Sequence, residues 1–346
     1  MIQVNGISKH YGERVLFEDV AFNINPGERV GIVGRNGTGK STLFRILKGE
    51  EVPDEGEVKV PKNYQLGSLK QHLHFTQENI LDECAQALPE EQKYEVYRAE
   101  KILSGLGFTE EDFQKAPSSF SGGYQIRLNL AKLLLQGPQM LLLDEPTNYL
   151  DILSVRWLKD FLRSFPGEVL LITHDRQFMD EVVTHVMGIK RRQVKKIQGD
   201  THKYYQQIKE EEEIHEKTRQ NQEKKRKEIQ DFVDRFRAKA NKASQAQSKL
   251  KQLEKMEVYD ELEMEAAMSL HFEYKECPGK FPLTVKDLGF AYKGNPYLFR
   301  DLNFALARQD RVALIGKNGK GKSTLLNLLA GELDENQGEI EGEMDW

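Results

Sequence analysis

The residues best suited to chemistry are those that handle phosphate. GRNGTGKST places Gly34, Asn36, Gly37 and Gly39 ahead of Lys40, Ser41 and Thr42, in the spacing G-x-x-x-x-G-K-[S/T]. With a strand before it and a helix after it, such a turn aims backbone N–H groups at an anion; the lysine neutralises the β and γ charges and the hydroxyl ligates magnesium. The apolar VGIV and the helix-forming STLFRILKG supply that context. The pattern returns as GKNGKGKST, with Gly316, Asn318, Gly319, Gly321, Lys322, Ser323 and Thr324 at the matching positions. Both sets are candidate ATP ligands, and Ser41 and Ser323 are candidate metal ligands.

Three further stretches narrow the chemistry. MLLLDEP reads as a buried strand ending in Asp144, placed to hold magnesium through water, and Glu145, placed to orient and deprotonate an attacking water. About two dozen residues earlier, SSFSGGYQIRLNLAKLLL lets Ser121, Gly122 and Gly123 open an amphipathic helix whose N-terminus can meet an anion. The strand VLLITHD then delivers His174 and Asp175, and His174 can hydrogen-bond a γ-phosphate. Alone, SGG is a weak signal and a histidine after a strand more often serves packing. Their order after a phosphate loop favours the catalytic reading.

These groups need elements to hold them, and the chain supplies a set twice. VGIVGRNGTGKSTLFRILKGEEVPDEGEV, from Val30, is echoed from Val312 by VALIGKNGKGKSTLLNLLAGELDENQGEI, and Tyr11 is answered by Tyr292. The expected fold is α/β, a P-loop NTPase with an α-helical hairpin linker and a partial second copy. The boundaries are 1–200 for the first domain, 201–278 for the linker and 279–346 for the N-terminal portion of the second. The second copy stops at Trp346, just past its helix and following strand, which reads as a fragment or shortened form of a longer protein. From Asp200 to Cys277 there is no glycine or proline, and Lys, Glu, Gln and Ala dominate. Ile229, Phe232, Phe236, Ala243, Ala246, Leu250 and Leu253 fall mostly on steps of three and four, the seam of a coiled coil whose tip is expected near Arg237 to Lys242. Around that tip Arg235, Arg237, Lys239, Lys242, Lys249, Lys251 and Lys255 face one acid, Glu254. Such a patch suits a phosphate backbone such as that of RNA, with a solvated helical face as the alternative.

The formal charge of -5 says little about partners, because charge is unevenly spread. The two cysteines, Cys84 and Cys277, fit neither a disulfide framework nor a metal site and point to a reducing compartment. No signal sequence opens the chain and no window approaches eighteen apolar residues. A cytoplasmic protein without stable membrane association is expected.

With these motifs in order, the first 200 residues resemble the nucleotide-binding domain of the ATP-binding cassette superfamily. GRNGTGKST resembles its Walker A motif, FSGGYQ its signature, LLLDEP its Walker B motif with the catalytic glutamate, NYLD its D-loop and ITHD its switch histidine. The resemblance implies that Tyr11 and Tyr292 stack on adenine, that Gln71 in LGSLKQ is the Q-loop glutamine acting in catalysis and on magnesium, and that Asp151 is the D-loop aspartate. The signature departs from its commonest form by carrying Tyr124 before Gln125. Tandem cassettes joined by a charged helical linker resemble the ABC-F proteins, above all at DEPTNYLDILSVRWLKDFL and FRAKANKASQAQSKLKQLEKME. That family implies an ATPase acting on the ribosome, with rRNA and tRNA as partners, bound while closed around ATP and released on hydrolysis. The stretch from Gln71 to Ser118 is too short for large extra arm helices. Family cassettes work head to tail, so the first signature faces the second phosphate loop, and the first loop needs a second signature in cis or in trans. Two other readings stay open: a transporter's ATPase subunit, for which the 78-residue linker has no evident purpose, and a cassette protein binding DNA.

Overall fold

Burial alternates along β1 (Ile2–Tyr11) and β2 (Arg14–Ile24), as it must in an antiparallel hairpin covered on one face. The computed structural model describes residues 1–69, 75–236, 248–249, 251–252, 271, 281–316, 318–334 and 337–342. They fall into two units, Met1–Gln198 with Phe272–Trp346, and Gly199–His271.

In the first unit the hairpin leads into β3 (Arg29–Val33), α1 (Lys40–Leu47), β4 (Glu55–Lys59) and β5 (Leu66–Ser68). Two short helices follow, α2 (Ile80–Ala85) and α3 (Tyr97–Gly105), then α4 (Gly122–Leu135), β6 (Met140–Asp144), α5 (Ile152–Ser164), β7 (Glu168–Ile172), α6 (Arg176–Val182), β8 (His185–Lys190) and β9 (Gln193–Gln198). One sheet has the order β2-β1-β4, and the central six-stranded sheet the order β5-β6-β7-β3-β8-β9. The central ladder is parallel except for β9, which runs antiparallel to β8.

The central strands are apolar without a break because both their faces are covered. Met140 and Leu142 of β6, with Leu170 and Ile172 of β7, pack with Val30, Ile32, Leu43, Phe44 and the hairpin. Their neighbours Leu141, Leu143, Val169 and Leu171 point the other way, into a core closed by α2, α3, α4 and α5. Each such side chain contributes about 1.5–3 kcal/mol of transfer free energy. The chain leaves β3, visits β5, β6 and β7 on one side and returns to β8 on the other. The carboxyl ends of β3, β6 and β7 therefore meet where the strand order reverses, the crevice in which open α/β sheets bind ligands.

The second repeat rebuilds the hairpin sheet. β10 (Leu283–Phe290), β11 (Phe299–Leu306) and β12 (Gln337–Gly342) take the order β11-β10-β12. Val285 faces Phe304 as Val4 faces Phe22, and the ladder shifts again one step later, after Val285 as after Val4. α8 (Lys322–Leu329) answers α1. The expected strand before it differs. No strand forms at residues 311–315, where Val312, Leu314 and Ile315 are 69%, 43% and 72% exposed. Their counterparts Val30, Ile32 and Val33 are at most 8% exposed, laddered between β7 and β8. Among the described residues the second repeat has no strands equivalent to β7 and β8.

The second unit contains α7 (Thr201–Phe236), 36 residues without glycine or proline. Ile229 and Val233, one turn apart, are buried along it. The expected hairpin tip lies outside the described residues.

Glu83 of α2 is fully buried and ties the helical layer together. It accepts hydrogen bonds from the N–H groups of Thr76 and Gln77, at 2.7 and 2.8 Å, and pairs with Lys132 of α4. Burial would raise its pKa; Lys132 and the two N–H groups more than offset this and hold the carboxyl below its ordinary value. The unfolded chain therefore takes up this proton first as pH falls. The pair's contribution is whole above about pH 4.5 and is lost as pH drops through the lower folded value. Glu83→Gln is expected to lower stability at pH 7 by about 2 kcal/mol and to flatten the acid limb of stability against pH. Denaturant melts from pH 3 to 7 check this, and an unchanged acid limb would count against the pair.

Candidate functional site

The phosphate loop takes its shape from two left-handed positions that only glycine adopts without strain, Gly37 (φ 79°) and Gly39 (φ 101°). A Cβ on Gly39 would also meet the Phe17 ring at 2.7 Å. Gly39 caps α1, aiming that helix's N-terminus at the loop. Lys40 Nζ donates to the carbonyls of Gly34 and Arg35 at 2.7 and 3.0 Å. Burial lowers its pKa, against the raising pull of Asp144 and Glu145.

Parallel pairing brings the acids to this lysine. Asp144 ends β6 beside Ile172 of β7, and its carboxylate accepts from Ser41 Oγ at 3.0 Å. Glu145 follows with a left-handed backbone, φ 49°, fixed by its N–H donating to Ile172 O at 2.8 Å. Thr173 Oγ1 donates to Glu145 Oε2 at 3.4 Å, while Glu145 Oε1 is buried without a hydrogen-bond partner. His174 Nε2 lies 3.6 Å from that oxygen on a side chain 71% exposed. Asp175 caps α6 through Phe178 N–H. A cavity of about 550 Å³ gathers Tyr11, Arg14, Asn36, Gly37, Gly39, Lys40, Ser41, Thr42, Asp144, Glu145 and His174. Tyr11 is half exposed there, its hydroxyl held by Glu51. Glycine-loop amides, a cation, a hydroxyl beside a carboxylate and a second carboxylate with an unused oxygen suit a polyphosphate, its divalent cation and an attacking water.

Ser121, Gly122 and Gly123 do not line this cavity. Ser121 caps α4 at an exposed turn, and a Cβ on Gly122 would meet nothing within 4 Å. Residues 149–151, which neighbour this turn, contact the second phosphate loop instead. Gly123 lies against Tyr149, whose carbonyl accepts from Asn318 Nδ2 at 3.3 Å, and Asp151 Oδ2 accepts from Asn318 N–H at 3.3 Å. Burial opposes the charge on Asp151; the N–H groups of Ser154 and Asn318 and the cation of Arg127 hold its pKa below the ordinary value. The second loop copies the first, with Gly319 and Gly321 at φ 76° and 82°, and Lys322 Nζ donating to Gly316 O at 2.8 Å. Thr324 is buried and accepts or donates at 3.1 Å with Tyr292, while Ser323 is exposed. Gln71 lies outside the described residues, as do Arg237, Lys239, Lys242 and Lys255. Arg235 falls in the last turn of α7, and Lys249 and Lys251 are exposed.

Sequence reasoning missed Arg14 and Arg127. Arg14 carries no motif. Arg127 is 1% exposed, and it donates to Tyr149 O at 2.8 Å and Leu106 O at 2.9 Å with its guanidinium 4.6 Å over the Tyr124 ring. The unusual Tyr124 thus serves packing, edge-on to Phe108 as well.

Known proteins match this arrangement. A family profile described as ABC transporter covers residues 17–148 and 299–345, and an extension profile of the same description covers 187–272. "Probable ATP-binding protein YheS" of Escherichia coli (strain K12) is 34% identical over 98% of this chain and 58% of its own length. "ABC transporter F family member 3" of Arabidopsis thaliana is 30% identical over 98% of this chain and 54% of its own. A solved structure described as the ATP binding subunit of an ABC transporter superposes with a TM-score of 0.52 at 23% identity, over 60% of this chain and 93% of that one, which supports the fold. The chain spans about 60% of the length of such curated relatives. No helix among the described residues is long and apolar enough to cross a membrane.

The left-handed Glu145 costs about 1–2 kcal/mol relative to glycine. Glu145→Gly is expected to keep or raise the melting temperature by a few degrees, and a clear fall would show that the backbone there is not strained.

Proposed function

Because the chain belongs to the ATP-binding cassette family, with F-family members among its relatives, we propose that it binds ATP with magnesium at the cavity around Lys40, hydrolyses it, and works on the ribosome as a translation factor. The observation that carries the ATPase reading is the convergence of Lys40, Ser41, Asp144, Glu145 and His174 on one cavity from the ends of three strands. Lys40 trades its two loop carbonyls for phosphate oxygens and keeps its charge against the β and γ groups. Ser41 Oγ and Asp144, already in contact, are the protein groups that hold magnesium, with Gln71 assigned there by family likeness. The cation, when bound, supplies charge neutralisation across the phosphates. Glu145 Oε1 accepts the proton of the attacking water, and His174, within reach of Glu145, steadies the γ-phosphate. Tyr11 offers its exposed ring to adenine.

The ribosome reading rests on the tandem cassettes in one chain, the glycine-free linker with its basic stretch, and the F-family relatives. A basic helix meets structured RNA through phosphates and shape, and its binding weakens as salt rises.

Glu145→Gln is expected to retain ATP binding and slow hydrolysis by about 10²–10⁴-fold, and an unchanged rate would remove Glu145 from its role. Lys40→Ala should weaken ATP at this site by more than tenfold, through loss of charge-assisted hydrogen bonds of about 1.5–3 kcal/mol. Pelleting of the Glu145→Gln protein with ribosomes tests the partner. ATP-dependent recovery in the pellet supports the translation-factor reading; recovery with DNA or membranes instead would replace it.

A further inference from the structure

We propose that Arg14 is a second cationic ligand for the phosphate chain of a nucleoside di- or triphosphate, and that it makes the first phosphate loop the tighter of the two. The inference rests on the nucleotide reading of the Lys40 cavity. Arg14 opens β2 directly across the ladder from Tyr11 and lines that cavity. One guanidinium nitrogen donates to Gly37 O at 2.6 Å, between the two left-handed glycines of the loop. The side chain is exposed, and among the described residues that carbonyl is the hydrogen-bond partner shown for it. A guanidinium has five N–H groups in a fixed fork, so one bond to the loop leaves others for a ligand in the cavity that Arg14 lines. Beside Lys40 it adds a second positive charge opposite Asp144 and Glu145. Phosphate oxygens are the ligand chemistry that fork fits best.

The second repeat provides the contrast. Phe17 packs over Gly39, and Phe299 packs over Gly321 in the same way, which fixes the alignment of the two hairpins on their loops. Three residues before Phe17 stands Arg14, and three before Phe299 stands Pro296. Proline offers neither charge nor donor. Both loops have two left-handed glycines, a lysine donating to the carbonyl of the motif's first glycine and a helix that follows, while Lys40 also donates to Arg35 O and Lys322 to Asn318 Oδ1.

The test is nucleotide affinity measured one loop at a time. In the Lys322→Ala chain, which leaves the first loop intact, Arg14→Gln is expected to weaken ATP and ADP about 10- to 100-fold, the worth of one charge-assisted contact. Arg14→Lys should stay within about threefold of the parent, and the salt dependence of binding should fall in Arg14→Gln. In the Lys40→Ala chain, which leaves the second loop intact, Arg14→Gln should change nothing, and ATP should bind more weakly than to the first loop alone. Equal affinity of Arg14→Gln and parent at the first loop would overturn the proposal. So would an equal loss at both loops, which would mark Arg14 as a brace of the fold, or an equal loss in Arg14→Lys and Arg14→Gln, which would make its role support of Gly37 O. If neither Lys40→Ala nor Lys322→Ala alters binding, the nucleotide reading itself fails, separately from Arg14.

Discussion

The site depends on one constraint: the apolar strand that leads into the phosphate loop needs ladder partners and cover on both of its faces. β3 meets it, with β7 and β8 alongside and apolar residues above and below. Residues 311–315 carry nearly the same side chains without such neighbours among the described residues, and they form no strand. The loop after them nonetheless keeps its left-handed glycines and its lysine-to-carbonyl bond. Loop conformation is therefore a local property of GKNGKGKST. Placement beside two carboxylates is a property of the sheet, because Asp144 and Glu145 arrive from β6 and His174 from the end of β7.

A second constraint joins the repeats. The Tyr149 carbonyl accepts from Arg127 of α4 and from Asn318 of the second loop, and Asp151 caps α5 through Ser154 N–H while accepting from the Asn318 N–H. Two acceptors on one turn thus connect the helix that Ser121 opens, the strand end that carries Glu145 and the loop that carries Lys322. Burying Arg127 is costly unless its donors are used; three contacts and the Tyr124 ring use most of them, although one nitrogen stays without a partner. Such an arrangement favours a fixed turn over a tolerant one, since any shift of residues 149–151 exposes more of that cost.

Much of this was legible in the sequence because phosphate chemistry needs contiguous residues. A glycine-rich turn, the strand before it and the lysine after it are neighbours in the chain, so GRNGTGKST and MLLLDEP carry their own context. Arg14 meets Gly37 and Arg127 meets Tyr149 across more than twenty residues, and no short pattern announces a contact made by tertiary approach. Comparison of the two repeats held a trace of Arg14, since Leu16 and Phe17 match Leu298 and Phe299 while Pro296 stands where the first repeat has Arg14. Glu83 escaped notice because an acid in a polar helix looks solvated until Lys132 and the Thr76 and Gln77 amides close around it. Residues 311–315 mark the opposite limit: they share the apolar pattern of β3 and form no strand, so the pattern alone does not fix one.

Glu145 is where two local rules fail together. It is a non-glycine residue in the left-handed region, and it buries an oxygen with no hydrogen-bond partner. Either departure costs stability, and a residue selected for packing alone would show neither. The backbone bond to Ile172 O and the hydroxyl of Thr173 hold the strained conformer in place, so strain and support are both built by the end of β7. The stability given up at this one residue lies at the same strand ends that bring Lys40 and Asp144 into one cavity, where the proposed function needs a carboxylate.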